Sequence, residues 1–314
     1  MLNLILRRLL VAIPTLILVS ILIFCLQKLL PGDPALMFAG EERDPEVLAL
    51  IRAQHHLDRP VLVQYGYWMA GVLQGDFGHS LRTGIPVTDL IVQKLPVTLQ
   101  LTATAMMIAM ITGISLGILA AARQGKLSDA AINAVGLTGM SIPNFWLGII
   151  LIMVVSVQLR WLPSAGFVSI TDDPGAFLRS VIMPAFVLST PITAYLMRHT
   201  RSAMIGALRS DYIRTARAKG LRRPVVTLKH AFRNALMPIV TMVTLLFGEL
   251  MAGAVLTEQI FTIPGFGKLI VDGVFTRDYP VVQGVVLCTA VSFILLNLLA
   301  DILYILINPK LRHA

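Results

Sequence analysis

The feature that most constrains this chain is a succession of long, nearly uncharged apolar runs. The first extends from Leu9 to about Leu30, and others follow at about 96–122, 130–159, 181–196, 236–256 and 285–307. A run of about 20 apolar residues matches the hydrocarbon thickness of a bilayer. In that medium a helix can satisfy every backbone N–H and C=O within its own segment. Only 14% of the chain is charged and 56% is hydrophobic, against about 25% charged in a typical soluble domain. The expected fold class is therefore an all-α polytopic membrane protein with six transmembrane helices.

Charge placement gives the orientation. Arg7 and Arg8 precede the first run and hold the N-terminus in the cytoplasm. That run is too long for the apolar core of a signal peptide, and no A-x-A-like site follows it. The turn Arg123–Lys126, the stretch 201–235 and the tail with Lys310 and Arg312 are basic and read as inner. In the outer loop 160–179, Asp172 and Asp173 offset the arginines. Both termini are thus expected in the cytoplasm, and the net charge of +9 reports orientation, not nucleic-acid binding. Cys25 and Cys288 fall inside apolar runs with no CxxC pattern, and read as small core hydrophobes.

Residues 31–95 form a long outer segment in which acidic residues outnumber basic ones. Pro31-Gly32-Asp33-Pro34 ends the first helix. Asp44-Pro45-Glu46 predicts a helix start, with Asp as N-cap and Pro at the first helical position. Leu62–Leu73 predicts a second short helix whose Tyr65, Tyr67 and Trp68 suit a membrane interface. Gly75 to Gly78 reads as a turn, and Pro86–Leu95 as a short elbow into the membrane. The expected division is 1–94 for the first helix with its extracytoplasmic segment, 95–307 for the transmembrane domain and 308–314 for a cytoplasmic tail.

No catalytic constellation stands out. Gly265-Phe266-Gly267-Lys268 imitates the end of a phosphate-binding loop, but position 262, where that motif needs glycine, is Thr. The segment reads as a Pro-Gly turn on the outer side. His55 and His56 are adjacent, so on a helix they face different ways, and no metal site is expected there. Two carboxylates, Glu249 and Asp301, sit inside apolar runs. A charge at bilayer depth costs roughly 2.5–3.5 kcal/mol or more, so each should face protein or a water-filled path. Glu249 is a candidate for lining or gating a path. Asp301, near the inner end, has pairing with a basic residue as its simpler explanation. Ser141, Pro143 and Asn144 interrupt the third run, either to line a cavity or to pack on a neighbour. Gly113 and Gly117, four apart, permit close helix packing.

One polar stretch remains, Arg209 to Pro238, enclosed by apolar runs and carrying one carboxylate, Asp211. Its basic residues could serve only to fix orientation or touch anionic lipid. Its pattern is more specific. Asp211 to Lys219 predicts a short helix closed by a left-handed Gly220. Pro224 then starts a second helix in which Val225, Leu228, Phe232, Ala235 and Leu236 share a face. A helix, a turn and a helix that re-enters the membrane make a rigid protrusion suited to transmitting movement to a cytoplasmic partner.

The stretch Asp211-Tyr212-Ile213-Arg214-Thr215-Ala216-Arg217-Ala218-Lys219-Gly220 resembles the coupling loop of binding-protein-dependent ABC importer permeases, whose general form is E-A-A-x-x-x-G. Arg214 stands where Glu is usual and Thr215 where the first Ala is usual, while Ala216 and Gly220 match. L-P-G-D-P (30–34), S-I-P-N-F-W (141–146), P-G-F-G (264–267), R-D-Y-P-V-V-Q-G (277–284) and N-P-K-L-R (308–312) extend the resemblance to nearly the whole chain. They are similar to the B-type permease of the dipeptide, oligopeptide and nickel subfamily.

The resemblance implies a type I importer fold in a bacterial inner membrane and a second, homologous permease. It also implies two cytoplasmic ATPase subunits carrying ATP and Mg, and an extracytoplasmic substrate-binding protein. Asp211, Tyr212, Arg214, Thr215, Ala216, Arg217, Lys219 and Gly220 would contact an ATPase. ATP binding would turn the bundle from inward- to outward-facing, and hydrolysis would reset it. Ser141, Asn144, Glu249 and Asp301 would border the pathway. The chain itself would be non-catalytic and bind no cofactor. Peptides lead as cargo, with nickel chelates and glutathione-like compounds as alternatives. The competing readings are a self-contained ion-coupled carrier or channel using Glu249 and Asp301, and a membrane enzyme. The spans show no evident two-half repeat of the kind many carriers have.

Overall fold

A computed structural model describes residues 2–29, 35, 44–54 and 56–307. Among these the secondary structure is helical, apart from turns and one isolated antiparallel bridge between His79 and Pro86. The helices are α1 (Leu2–Leu29), α2 (Pro45–Gln54), α3 (Val61–Leu73) and α4 (Val87–Ala122). α5 (Leu127–Ser141), α6 (Asn144–Gln158), α7 (Pro174–Leu208) and α8 (Asp211–Ala218) follow. The chain ends with α9 (Arg223–Ile260), α10 (Phe266–Phe275) and α11 (Tyr279–Ile307). The motifs at 30–34 and 308–312, and His55, lie outside the described residues.

Among the described residues, five helices are long and apolar enough to cross a bilayer. The third predicted span, expected to be interrupted at Ser141, Pro143 and Asn144, is the pair α5 and α6, bent by 95°. Ile142 and Pro143 take extended backbone at the bend, as expected where proline disfavours helical geometry in the residue before it. α5 has 15 residues, a length of roughly 22 Å, and alone falls short of the ~30 Å hydrocarbon layer. The pair counts as one span only if its two arms share the crossing.

Two units make up the chain. The larger comprises residues 97–267 with the end of α11, and is built around α7. α7 is buried on most sides, with Val181, Met183, Ala185, Val187, Leu188 and Leu196 in a core completed by Leu101, Ala105, Ala109, Leu246, Leu250 and Ala254. The sequence reading confined this span to 181–196 and opened the basic loop at 201. The helix in fact runs through Pro184 and Pro191 to Leu208. Neighbouring helices offset the groups a proline frees in such a setting. Its start follows the same rule as α2: Asp173 accepts from the N–H groups of Gly175 and Ala176 at 2.8 and 3.0 Å, with Pro174 at the first position. The expected close packing of Gly113 and Gly117 is present. A Cβ on Gly117 would sit 2.6 Å from Thr200 Cβ and 2.7 Å from the Met197 carbonyl, so α4 lies directly on α7.

The second unit comprises residues 2–96 and 268–294. Asp44 caps α2 as expected, accepting from Glu46 N–H at 2.9 Å. The predicted elbow at 86–95 is absent as a separate element, because α4 passes through Pro96 without a break. Two of the aromatic residues of α3 also pack on α1. Tyr65 bonds the Ser20 hydroxyl at 2.8 Å, and the Tyr65 and Trp68 rings pack on Phe24 of α1. Asp278, in the R-D-Y-P motif, accepts from Ser80 Oγ at 2.5 Å and Leu81 N–H at 3.1 Å, which fixes the turn before α4.

Candidate functional site

α8 is short but sharply two-sided. Ile213 and Ala216 are buried, while Asp211, Tyr212, Arg214, Thr215, Arg217, Lys219 and Gly220 are exposed. The buried pair sits in a second apolar cluster with Ala121 at the end of α4, Met204 of α7, and Val226, Ala231, Ala235 and Ile239 of α9. The structure thus brings seven of the eight sequence-predicted contact residues to one surface. Ala216 is the exception: its small side chain lets α8 lie against the cluster, and it anchors the helix. Ile213, its larger companion, was missed, although the i, i+3 spacing of 213 and 216 in a charged stretch marks such a face.

Both ends of α8 are defined. Gly220 has φ +76°. Its N–H bonds the Arg217 carbonyl at 2.9 Å, and Leu221 N–H reaches the Ala216 carbonyl at 3.4 Å, the paired bonds of a Schellman C-cap. Asp211 and Arg214 pair at 3.3 Å in full exposure, a contact that contributes little by itself. Arg209, Arg222, Arg223, Lys229 and Arg233 extend the exposed basic surface.

The helix after Pro224 begins as expected, but its inner face matches the expected one only in its second half. Val225 and Leu228 are 39% and 56% exposed, and the buried stripe is Val226, Ala231, Ala235 and Ile239. Residues Val226–Ala231 form a π-helical stretch. Its five-residue step rotates the phase, so of the regular 3-and-4 pattern Val225 and Leu228 fall outside the buried face while Ala235 stays in it and Phe232 packs at its edge.

The pathway candidates are not gathered into a site. Ser141 is exposed, and its hydroxyl bonds the Leu137 carbonyl at 2.9 Å within its own helix. Asn144 opens α6 and is partly buried. Glu249 is exposed on α9, one turn from Leu245 and two from Leu256, which are 59% and 58% exposed. Within this chain it does not face protein. Asp301 falls outside the residues whose side chains are described. His56 stacks on Tyr67 with ring centroids 4.0 Å apart. Among the described residues no group of three or more His, Cys, Asp or Glu side chains is placed to hold a metal ion.

Two buried polar centres escaped the sequence reading. Glu258 lies beyond the apolar run expected to end at about 256, yet α9 continues to Ile260 and Glu258 is fully buried. Thr98 Oγ1 donates to its Oε1 at 2.5 Å and accepts from Phe266 N–H at 2.7 Å. The P-G-F-G turn closes over this carboxylate so tightly that a Cβ at Gly265 would collide with Oε1. The other centre is Asp129, in the first turn of α5. Arg201 Nε and Nη2 donate to its two oxygens, each at 2.7 Å. Local sequence offered no signal for a partner 72 residues away.

This chain is similar to known proteins over its full length. The family described as binding-protein-dependent transport system inner membrane component matches residues 113–313, and the corresponding N-terminal membrane component matches residues 1–102. The glutathione transport system permease protein GsiC of Salmonella typhimurium is 44% identical over 313 residues, covering 100% of both chains. A protein of Brucella abortus, assigned by name to a peptide transport system as its permease, is 43% identical over 310 residues, covering 99% of each. A chain of the MetNI methionine ABC transporter, solved in inward-facing conformations, superposes with a TM-score of 0.57 at 17% identity. It covers 70% of this chain and 96% of that one, a likeness of fold that fits the type I importer architecture. The chain therefore belongs to the family of binding-protein-dependent transport system inner membrane components, the non-catalytic permease subunits of ABC importers.

Proposed function

We propose that this chain forms half of the translocation pathway for small peptides, glutathione-like compounds included, and docks one cytoplasmic ATPase subunit through α8. The observation that carries the docking role is the geometry of α8. Its apolar side is sealed into the bundle, and seven residues of its helix-and-cap unit point outward on a basic surface. Such a helix moves as one body with α7 and α9, and the basic face complements an acidic cleft on a partner. A second, homologous permease completes the pathway, and Glu249 with its exposed apolar neighbours faces that subunit, where its charge avoids lipid. An extracytoplasmic binding protein delivers the cargo, and both termini lie in the cytoplasm. Residues 1–94 supply the first transmembrane helix and the extracytoplasmic segment, and 95–307 the translocating domain. The cargo class follows the relatives named for glutathione and peptide transport.

Uptake of a labelled dipeptide or glutathione into vesicles tests this reading. With both permeases, the ATPases and the binding protein present, uptake is expected to require ATP. Uptake by this chain alone, driven by an ion gradient, would overturn it.

A further inference from the structure

The Asp129–Arg201 pair joins a buried carboxylate to a half-buried arginine, is geometrically specific and is unused by the docking role. Asp129 stands in the first turn of α5 with 5% of its surface exposed. Both its oxygens are taken by the Arg201 fork at 2.7 Å, and their remaining capacity by Gly125 N–H at 3.0 Å and the Asn133 amide at 2.8 Å. The turn between α4 and α5, the body of α5 and the inner end of α7 therefore share one closed network.

Its place in the chain matters. Arg201 precedes the end of α7 at Leu208 by two turns, and α8 begins three residues later. In the other direction α5 runs from Asp129 to Ser141, where the 95° bend into α6 begins. The rest of the α5–α7 contact is looser: the buried residues of α5 are Asp129 and Gly136, a Cβ at Gly136 would meet the flexible end of Met197 and one at Gly139 the Thr190 methyl, and Met140 Sδ lies 3.9 Å from Arg198 Nη1. Contacts of that kind let one helix slide on another. A bidentate arginine–carboxylate fork fixes both distance and rotation. A buried ion pair is poor evidence for stability in itself, since apolar residues often do as well, so a positional role accounts for it better.

We propose that the Asp129–Arg201 pair is a transmission joint. It carries displacement of the inner end of α7, imposed at α8, into α5 and so to the α5–α6 bend. Arg201 and Asp129 are positioning residues, and the inference rests on the docking role of α8 proposed above.

The test uses the assembled importer in proteoliposomes and reads cargo imported per ATP hydrolysed. Asp129→Asn keeps the shape and an acceptor for Gly125 N–H while removing the charge. Import per ATP is expected to fall about tenfold, inside the roughly 5–150-fold range of coupling effects, with ATP hydrolysis within about twofold of the parent. Arg201→Lys keeps the charge but loses the fork, and should fall between the two. Import per ATP unchanged in both variants would overturn the joint. So would loss of assembly in Asp129→Asn combined with normal stoichiometry in Arg201→Lys, or loss of assembly in both, since either makes the pair a folding staple. Failure of the parent importer to use ATP at all would instead overturn the docking reading.

Discussion

At position 220 the backbone takes φ +76°, and the two capping hydrogen bonds that close α8 depend on that turn. Any side chain there meets the left-handed penalty of about 1–2 kcal/mol, a factor of about 5–30 in a local equilibrium. Nothing lies within 4 Å of a Cβ at this site, so the penalty is conformational and not steric crowding. Gly220→Val should therefore insert and assemble normally, yet import several-fold less cargo per ATP hydrolysed. Normal import with unchanged stimulation of the ATPase would refute the capping account. This residue was legible in the sequence because a cap is a local event: glycine after a helical stretch states its own backbone conformation. Ala216 was legible as part of a motif, but not as a buried anchor. Which side of α8 is covered depends on Met204, Val226 and Ala235, which no local pattern brings to it.

Elements show the same division. The helix starts at Asp44-Pro45 and Asp173-Pro174 obey one capping rule readable from four residues. The interior of α9 does not, because its π-helical stretch at Val226–Ala231 shifts the buried stripe off the regular spacing. The end of α9 hides a further element-level device. Thr98 of α4 donates to Glu258 and accepts from Phe266 N–H, joining α4, α9 and the P-G-F-G turn. Thr98→Val keeps the volume but withdraws both bonds, leaving the Phe266 N–H without that acceptor at a cost of about 1–3 kcal/mol. The detergent-solubilised permease should unfold a few degrees lower, roughly, by thermal melting, while Thr98→Ser should melt like the parent. An unaltered midpoint in the valine variant would mean that the network does not hold the turn.

For the whole molecule the crossing number turns on α5 and α6, whose 95° bend makes them either one broken span or a re-entrant pair. One crossing makes six and returns the C-terminus to the side of the N-terminus; none makes five and separates them. Reporter fusions that are active on only one side of the membrane, placed at each end, should both report the cytoplasm. Opposite reports would make α5 and α6 a re-entrant pair. By itself, the sequence determined the membrane class, the six apolar runs, the side on which basic turns gather and the helix–cap unit of α8. Each of these follows from hydrophobicity, charge or backbone geometry within a few consecutive residues. Only the tertiary structure decided the burial of Glu258, the fork between Asp129 and Arg201, the central position of α7 and the right-angle bend after Ser141. Those depend on residues far apart in the chain meeting in a low-dielectric interior, where an unmatched charge or backbone group is costly and must find its partner.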